Sequence, residues 1–331
     1  MSKANSEMRV IRGSHQPGRG RFFRWTLSVA AAVLLLLLPI FVTSPYRAHI
    51  LVMILVYVIA ASSLRTIGLS GQMSLGHAAF MGIGAYTSAV IAKNLGWSPW
   101  ICIPLGGISA MLVGIGVGIP FARLRAIYFS MVSLFFGIGM LAVNSVCERW
   151  TGGYSGLVRI PALFVGSRIL YYYFFLFVAS ASLSVLYRFE VSRIGITWKA
   201  IAQSHVVASS VGVSETRFRI LALAIGCFFV GIAGAGYAHY RVVLSPDTFN
   251  LLASIYLLMY VLVGGIGSFV GPIIGAAVLT VIPEISTPLK QYSPYVFAGV
   301  LAVVLFLMPT GIAGMAGQMR LWFARRSGGG W

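Results

Sequence analysis

The segment Gly68 to Tyr86 reads GLSGQMSLGHAAFMGIGAY. Ser70, Gln72, Ser74 and His77 stand there among Gly68, Gly71 and Gly76, between two apolar runs. Hydroxyl, carboxamide and imidazole groups both donate and accept hydrogen bonds. At membrane depth they would serve a polar solute, or satisfy the backbone of a broken helix. Glycine inside a helix costs about 1 kcal/mol against alanine, so glycines this closely spaced favour a break. A polar loop at the membrane surface beside Arg65 fits the same residues. Spacing alone does not choose between these readings.

Other chemistry is thinly supplied. The acidic residues are Glu7, Glu148, Glu190, Glu215, Asp247 and Glu284, and all fall in tails, loops or the ends of apolar segments. Ionisable groups at membrane depth mark proton and ion pathways, and no ladder of carboxylates runs through these segments. No HExxH occurs, and His15, His49, His77, His205 and His239 do not pair at helical ligand spacing. No GxxxxGK[ST] loop is present to hold a nucleotide. Cys102, Cys147 and Cys227 are far apart and lack metal-type spacing. The expectation is a protein with no catalytic residue, no metal and no cofactor of its own.

The elements that hold these residues are apolar. The chain of 331 residues is 59% hydrophobic and 9% charged, whereas soluble domains carry about 25% charged residues. Continuous apolar runs approach the roughly 20 residues a membrane helix needs. They are Trp25–Val42, Ala48–Ile67, Ser74–Ala92, Trp100–Ile119, Ile127–Val146, Ile169–Tyr187, Phe218–Ala238, Phe249–Val263, Ser268–Ile282 and Pro294–Leu307. The fold class is therefore all-α: a polytopic integral membrane helical bundle of about ten hydrophobic segments, some broken or re-entrant. Residues 1–24 form a basic cytoplasmic tail, 25–317 the transmembrane domain and 318–331 a second basic cytoplasmic tail. Trp25–Val42 lacks a good cleavage site and is read as a retained span rather than a signal peptide. With both termini in the cytoplasm, 17 of the 24 basic residues fall on that side, as the positive-inside rule requires. The net charge of +18 then reports orientation in a lipid bilayer, not nucleic-acid binding.

The glycine runs GIGVG (Gly114–Gly118), GIAGAG (Gly231–Gly236) and GGIGSFVGPIIG (Gly264–Gly275) place small residues on helix faces, where they permit close packing. The long connection Arg188 to Arg219 is cytoplasmic in this topology. Its middle, Thr197 to Ser214, has helical amphipathicity, with Ile201, His205 and Ala208 on one face and Gly212 placed to end the helix. A short helix there suits docking into a partner's groove.

Together these residues resemble the LivM-type permease subunits of ABC importers for branched-chain amino acids. Four stretches carry the resemblance. They are GLSGQMSLGHAAFMGIGAY, then LRAIYFSMVSLFFGIGM with RWTGGYSGLVRIP, then Ser192 to Tyr240, then VLVGGIGSFVGPIIGAAVL with a terminal MPTGIAGM. The resemblance implies a permease rather than an enzyme, in a bacterial inner membrane. It implies a second, LivH-like permease subunit, two cytosolic ATPase subunits and a periplasmic substrate-binding protein. It makes residues 188–219 the loop that contacts the ATPase, through Lys199, Ala200, Gln203, His205, Ala208 and Gly212. It places Ser70, Gln72, Ser74 and His77 near the translocation pathway. Other substrates, such as urea, an amide or another amino acid, are the alternatives within the family. A passive channel for small neutral solutes is the alternative outside it.

Overall fold

The computed structural model describes residues 35–39, 44–124, 126–285, 299, 302 and 311–314. Contacts divide the chain into two compact units, residues 1–48 and 49–331. The described part of the first unit is helical at 35–39 and enters the first long helix at Pro45.

The principal helices are α1 (Pro45–Gly68), α2 (His77–Leu95), α3 (Pro99–Phe121), α4 (Ala126–Val146), α5 (Arg168–Val191), α6 (Arg193–Gln203), α7 (His205–Ser210), α8 (Glu215–Arg241), α9 (Leu251–Gly264) and α10 (Gly271–Ile285). The described residues contain no named strand; Leu157 and Leu244 form an isolated antiparallel bridge. Among the described residues, six helical stretches are long and apolar enough to cross a membrane: α1, α3, α4, α5, α8 and the stretch Pro246–Gly264 that contains α9. Helix α2, long enough but less apolar, and the shorter α10 lie outside that set. The expected segments Trp25–Val42 and Pro294–Leu307 fall largely outside the described residues. The described residues thus form an all-helical fold with six candidate spans, against about ten hydrophobic segments read from the sequence.

Helix ends follow local chemistry. Gly96 adopts φ +67 after α2 and so closes it in the left-handed region. Pro99 opens α3, where its missing N–H costs nothing. Asn250 caps α9 by accepting from Ala253 N at 3.0 Å.

The core is organised around α8, the most buried of the six candidate spans. It packs on α2 and α3 through glycine. A Cβ on Gly84 would strike the Gly231 backbone, and one on Gly106 would meet the Gly84 carbonyl 2.6 Å away. Backbones approach this closely only where side chains are absent, which is the small-residue packing expected of GIAGAG. The α9–α10 hairpin repeats the device, with Gly264, Gly271 and Gly275 against each other's backbones. By contrast, α4 is the least buried of the six, and its Ile127, Tyr128, Met131 and Phe135 are exposed.

Candidate functional site

Helix α1 ends at Gly68 and α2 begins at His77, so the segment between them is a break. It is not a surface loop: Ser70, Ser74 and His77 are fully buried and Gln72 nearly so. Such a break survives inside a protein only if its backbone groups find partners. Serines from distant helices supply them. Ser130 Oγ donates to Met73 O at 2.7 Å, and Ser133 Oγ accepts from Leu75 N at 3.0 Å. Ser254 Oγ of α9 accepts from Ala78 N at 3.0 Å, capping the start of α2. Gly76 admits this contact with α4, since a Cβ there would collide with the Ser133 carbonyl.

The four sequence-identified residues play different parts. Ser70 Oγ turns back to Ile67 O at 2.7 Å. Gln72 Nε2 reaches Leu124 O at 3.3 Å, tying the break to the turn after α3. Ser63 Oγ donates its proton to Ala60 O, so His77 Nε2, 2.9 Å from Ser63 Oγ, must be the donor in that pair. Neutral His77 then presents Nδ1 as an acceptor. Ser74 Oγ and His77 Nδ1 are buried with no hydrogen-bond partner among the described residues. A cavity of about 60 Å³ lies beside the start of α2, with Ala78, Met81, Tyr57, Tyr237 and Tyr260 in its lining.

The same end of the bundle carries a charge cluster that sequence reasoning did not assemble. Arg65 is 2% exposed, donates from both terminal nitrogens to Glu190 at 2.6 and 3.0 Å, and donates from Nε to Ile266 O at 2.8 Å. Glu190 also accepts from Lys199 at 2.9 Å. One carboxylate therefore joins α1, α5 and α6, while the Arg65 guanidinium extends the tie to the α9–α10 turn. Arg219, paired with Glu215, holds the Ala122 and Leu124 carbonyls at 3.3 Å. The sequence signal was weak: each is a charge at the end of an apolar segment.

Helices α6 and α7 sit against this cluster. Trp198 is fully buried and donates from Nε1 to Phe218 O at 2.8 Å. A Cβ on Gly71 would lie 3.2 Å from Ala202 Cα, so the break and α6 touch directly. Of the residues expected on this loop, Lys199 bridges to Glu190, Ala208 is buried, and Ala200, Gln203, His205 and Gly212 are exposed. The single face expected for Ile201, His205 and Ala208 is corrected. Ser204 is extended (φ −158, ψ 108) and starts a new helix by accepting from Val207 N. The register shifts there, leaving Ile201 and Ala208 buried and His205 outside. Gly212 ends α7 at φ +81, with Val213 N bonded to Ala208 O and Gly212 N to Ser209 O. This is a Schellman closure. The outer face of α7 exposes Val206 and Val207, and Val211 follows it.

This arrangement of broken helix, buried ion pair and protruding helical loop can be set against known proteins. The chain matches the family described as branched-chain amino acid transport system / permease component over residues 46–309. The chain belongs to that family. Every residue of the break, the charge cluster and the α6–α7 loop falls within the matched region. The family is one of transport permeases, not enzymes. Among its relatives is the high-affinity branched-chain amino acid transport system permease protein LivM of Salmonella typhimurium, 30% identical over 83% of this chain and 72% of LivM. LivM of Escherichia coli is 29% identical over 87% of this chain and 74% of its own length. LivH of Escherichia coli, a permease protein of the same system, is 26% identical over 75% of this chain and 87% of LivH. No solved structure matches the chain.

Proposed function

We propose that this permease is one half of the membrane pathway of an ATP-driven importer for branched-chain amino acids in a bacterial inner membrane, with both termini in the cytoplasm. A second, LivH-like permease completes the pathway. Two cytosolic ATPases supply the energy, and a periplasmic binding protein delivers the solute.

The observation that carries this reading is the α6–α7 loop. It is clamped to the bundle by Trp198 and by Lys199 on Glu190, yet it presents Val206, Val207 and Val211 outward. Exposed valines on a rigidly mounted short helix suit a partner's groove. A passive pore needs no such projection. Lys199, Ala200, Gln203, His205, Ala208 and Gly212 form or flank the contact with the ATPase. ATP binding then stabilises one arrangement of the loop over another and shifts the permease between its two states. Replacing Ala208 and Gly212 together with glutamate should abolish uptake while membrane insertion stays intact. Normal uptake by that double variant would refute the coupling role.

For the pathway, the open hydrogen-bonding capacity of Ser74 Oγ and His77 Nδ1 supports solute passage near the break. Ser70 and Gln72 shape the same segment from within. A Gln72→Ala, Ser74→Ala permease should transport with altered apparent affinity or rate. Unchanged values for both would leave these residues a purely structural role.

A further inference from the structure

The end of the bundle opposite Arg65 holds a cavity of about 520 Å³, where His49 of α1, the start of α5 and the end of α8 meet. Its lining includes His49, Arg168, Arg241, Tyr171, Tyr240 and Phe164. Small-molecule sites typically span about 300–1,000 Å³. The lining has a cationic side, formed by the Arg168 and Arg241 guanidiniums, and an aromatic side. No Asp or Glu lines it among the described residues.

The walls are fixed. Tyr171 OH accepts from Leu163 N and Phe164 N at 2.8 and 3.2 Å and donates to His239 O at 2.8 Å. His239 donates from Nδ1 to Pro161 O at 2.7 Å, which leaves Nε2 to accept from the Ser88 hydroxyl at 2.8 Å. These bonds pin the segment that carries Phe164 and leads into Arg168. The His49 ring stacks on Tyr240 with centroids 5.6 Å apart, and its Nδ1 lies 2.7 Å from Tyr240 OH. Val242, next to Arg241, is β-branched yet sits at φ +63. Left-handed backbone at such a residue is costly and persists only where surrounding structure imposes it. Here Val242 O accepts from Ile160 N at 3.1 Å, and the Leu157–Leu244 bridge follows. The backbone that aims Arg241 is thus held under strain.

We propose that this cavity binds the α-carboxylate of a free amino acid, with Arg241 and Arg168 on the carboxylate and the aromatic side against the solute's side chain. The planar guanidinium fork matches a carboxylate in two-point geometry, and Phe164 and Tyr240 offer the apolar area that a branched side chain needs. The assignment rests on reading the chain as an amino-acid permease, and it places an entry site at the end of the bundle remote from α6 and α7.

Radiolabelled leucine titrated onto the assembled permease–ATPase complex in nanodiscs, without binding protein, tests it. Leucine should bind saturably. Isocaproate, which keeps the carboxylate and lacks the amine, should compete, and leucinamide should not. Arg241→Gln should weaken binding at least about tenfold, as expected for one lost charge-assisted bond, and Arg241→Lys should weaken it less. Uptake by the full system with its binding protein is measured in parallel. Normal leucine uptake with no saturable binding, with wild-type binding by Arg241→Gln, or with equal competition by leucinamide overturns the site and leaves the permease reading standing. Loss of binding-protein docking alone in Arg241→Gln, with free leucine binding intact, also overturns it. Failure of the wild-type system to take up any branched-chain amino acid overturns the permease reading itself.

Discussion

Glu190→Gln should be among the most destabilising single-atom changes in this protein. Arg65 is 2% exposed and Glu190 10% exposed at the side chain, and they share two N–H···O bonds of 2.6 and 3.0 Å. An exposed pair would matter little, roughly 0–1 kcal/mol. A buried pair that loses one partner strands the other charge, at about 3–5 kcal/mol. Glutamine keeps the shape and one acceptor, so the cost comes from the charge. At about 2–4 °C per kcal/mol, as for domains of 150–250 residues, the melting point should fall on the order of 10 °C. The protein carries its own reporter. Cys102 and Cys227 are buried and Cys147 is exposed, so a thiol-reactive dye in a Cys147→Ser background lights up only as the bundle opens. Lys199→Ala is the internal control: its side chain is 49% exposed and can turn to water, so the loss should stay below about 1 kcal/mol. Replacing the pair together, Arg65→Met with Glu190→Leu, should recover most of the stability. If Glu190→Gln melts within a degree or two of wild type, or if Lys199→Ala costs as much, the buried-pair argument is wrong.

Three further outcomes are expected. Gly76→Ala should sharply lower the yield of folded protein, because its Cβ meets the Ser133 carbonyl; Gly139→Ala on the same helix pair, with nothing within 4 Å, should not, and size-exclusion profiles in detergent distinguish them. Ser254→Ala leaves Ala78 N without its acceptor and should cost about 1–3 kcal/mol in the same thiol melt, while Ser254→Thr should retain most of the stability. Gly212 has open space around it but φ +81, so Gly212→Val should cost only the strain of that backbone, about 1–3 kcal/mol, and Gly212→Asn less; limited proteolysis of the α6–α7 loop reads the difference.

The break was legible because its signal is local. Three glycines with serine and glutamine between them disfavour a helix wherever they fall, and the structure interrupts the chain between Gly68 and His77. The partners that make it tolerable were not legible. Ser130, Ser133 and Ser254 lie 57, 58 and 176 residues from the groups they serve. A serine in an apolar helix ordinarily bonds the preceding turn of its own helix, so its type announces no distant role. Helix boundaries were legible at Gly212, which closes α7 as expected. They failed at Ser204, where an N-cap split a run that looks continuous by period. Arg65 and Glu190 each read as charges near a segment end; that they face each other from 125 residues apart is a property of packing alone.

The charge cluster and the serine caps answer one physical problem in two ways. Backbone groups freed by a broken helix must be satisfied away from water. Neutral hydroxyls do this at 2.7 to 3.0 Å without a desolvated charge, and serine is small enough to sit in the close helix contacts that glycine creates. Charge appears where it can hold several elements at once: Glu190 binds Arg65 and Lys199, and Arg65 reaches on to the Ile266 carbonyl. Three helices thus meet at one carboxylate beside the loop that carries α6 and α7, and Arg65 ties the α9–α10 turn to them. Gly71 then touches Ala202 with no side chain between them. Any displacement of α6 must therefore move the break, strain the Glu190 ties, or both. The broken segment and the Arg65–Glu190–Lys199 cluster thus meet at one junction, directly beside α6.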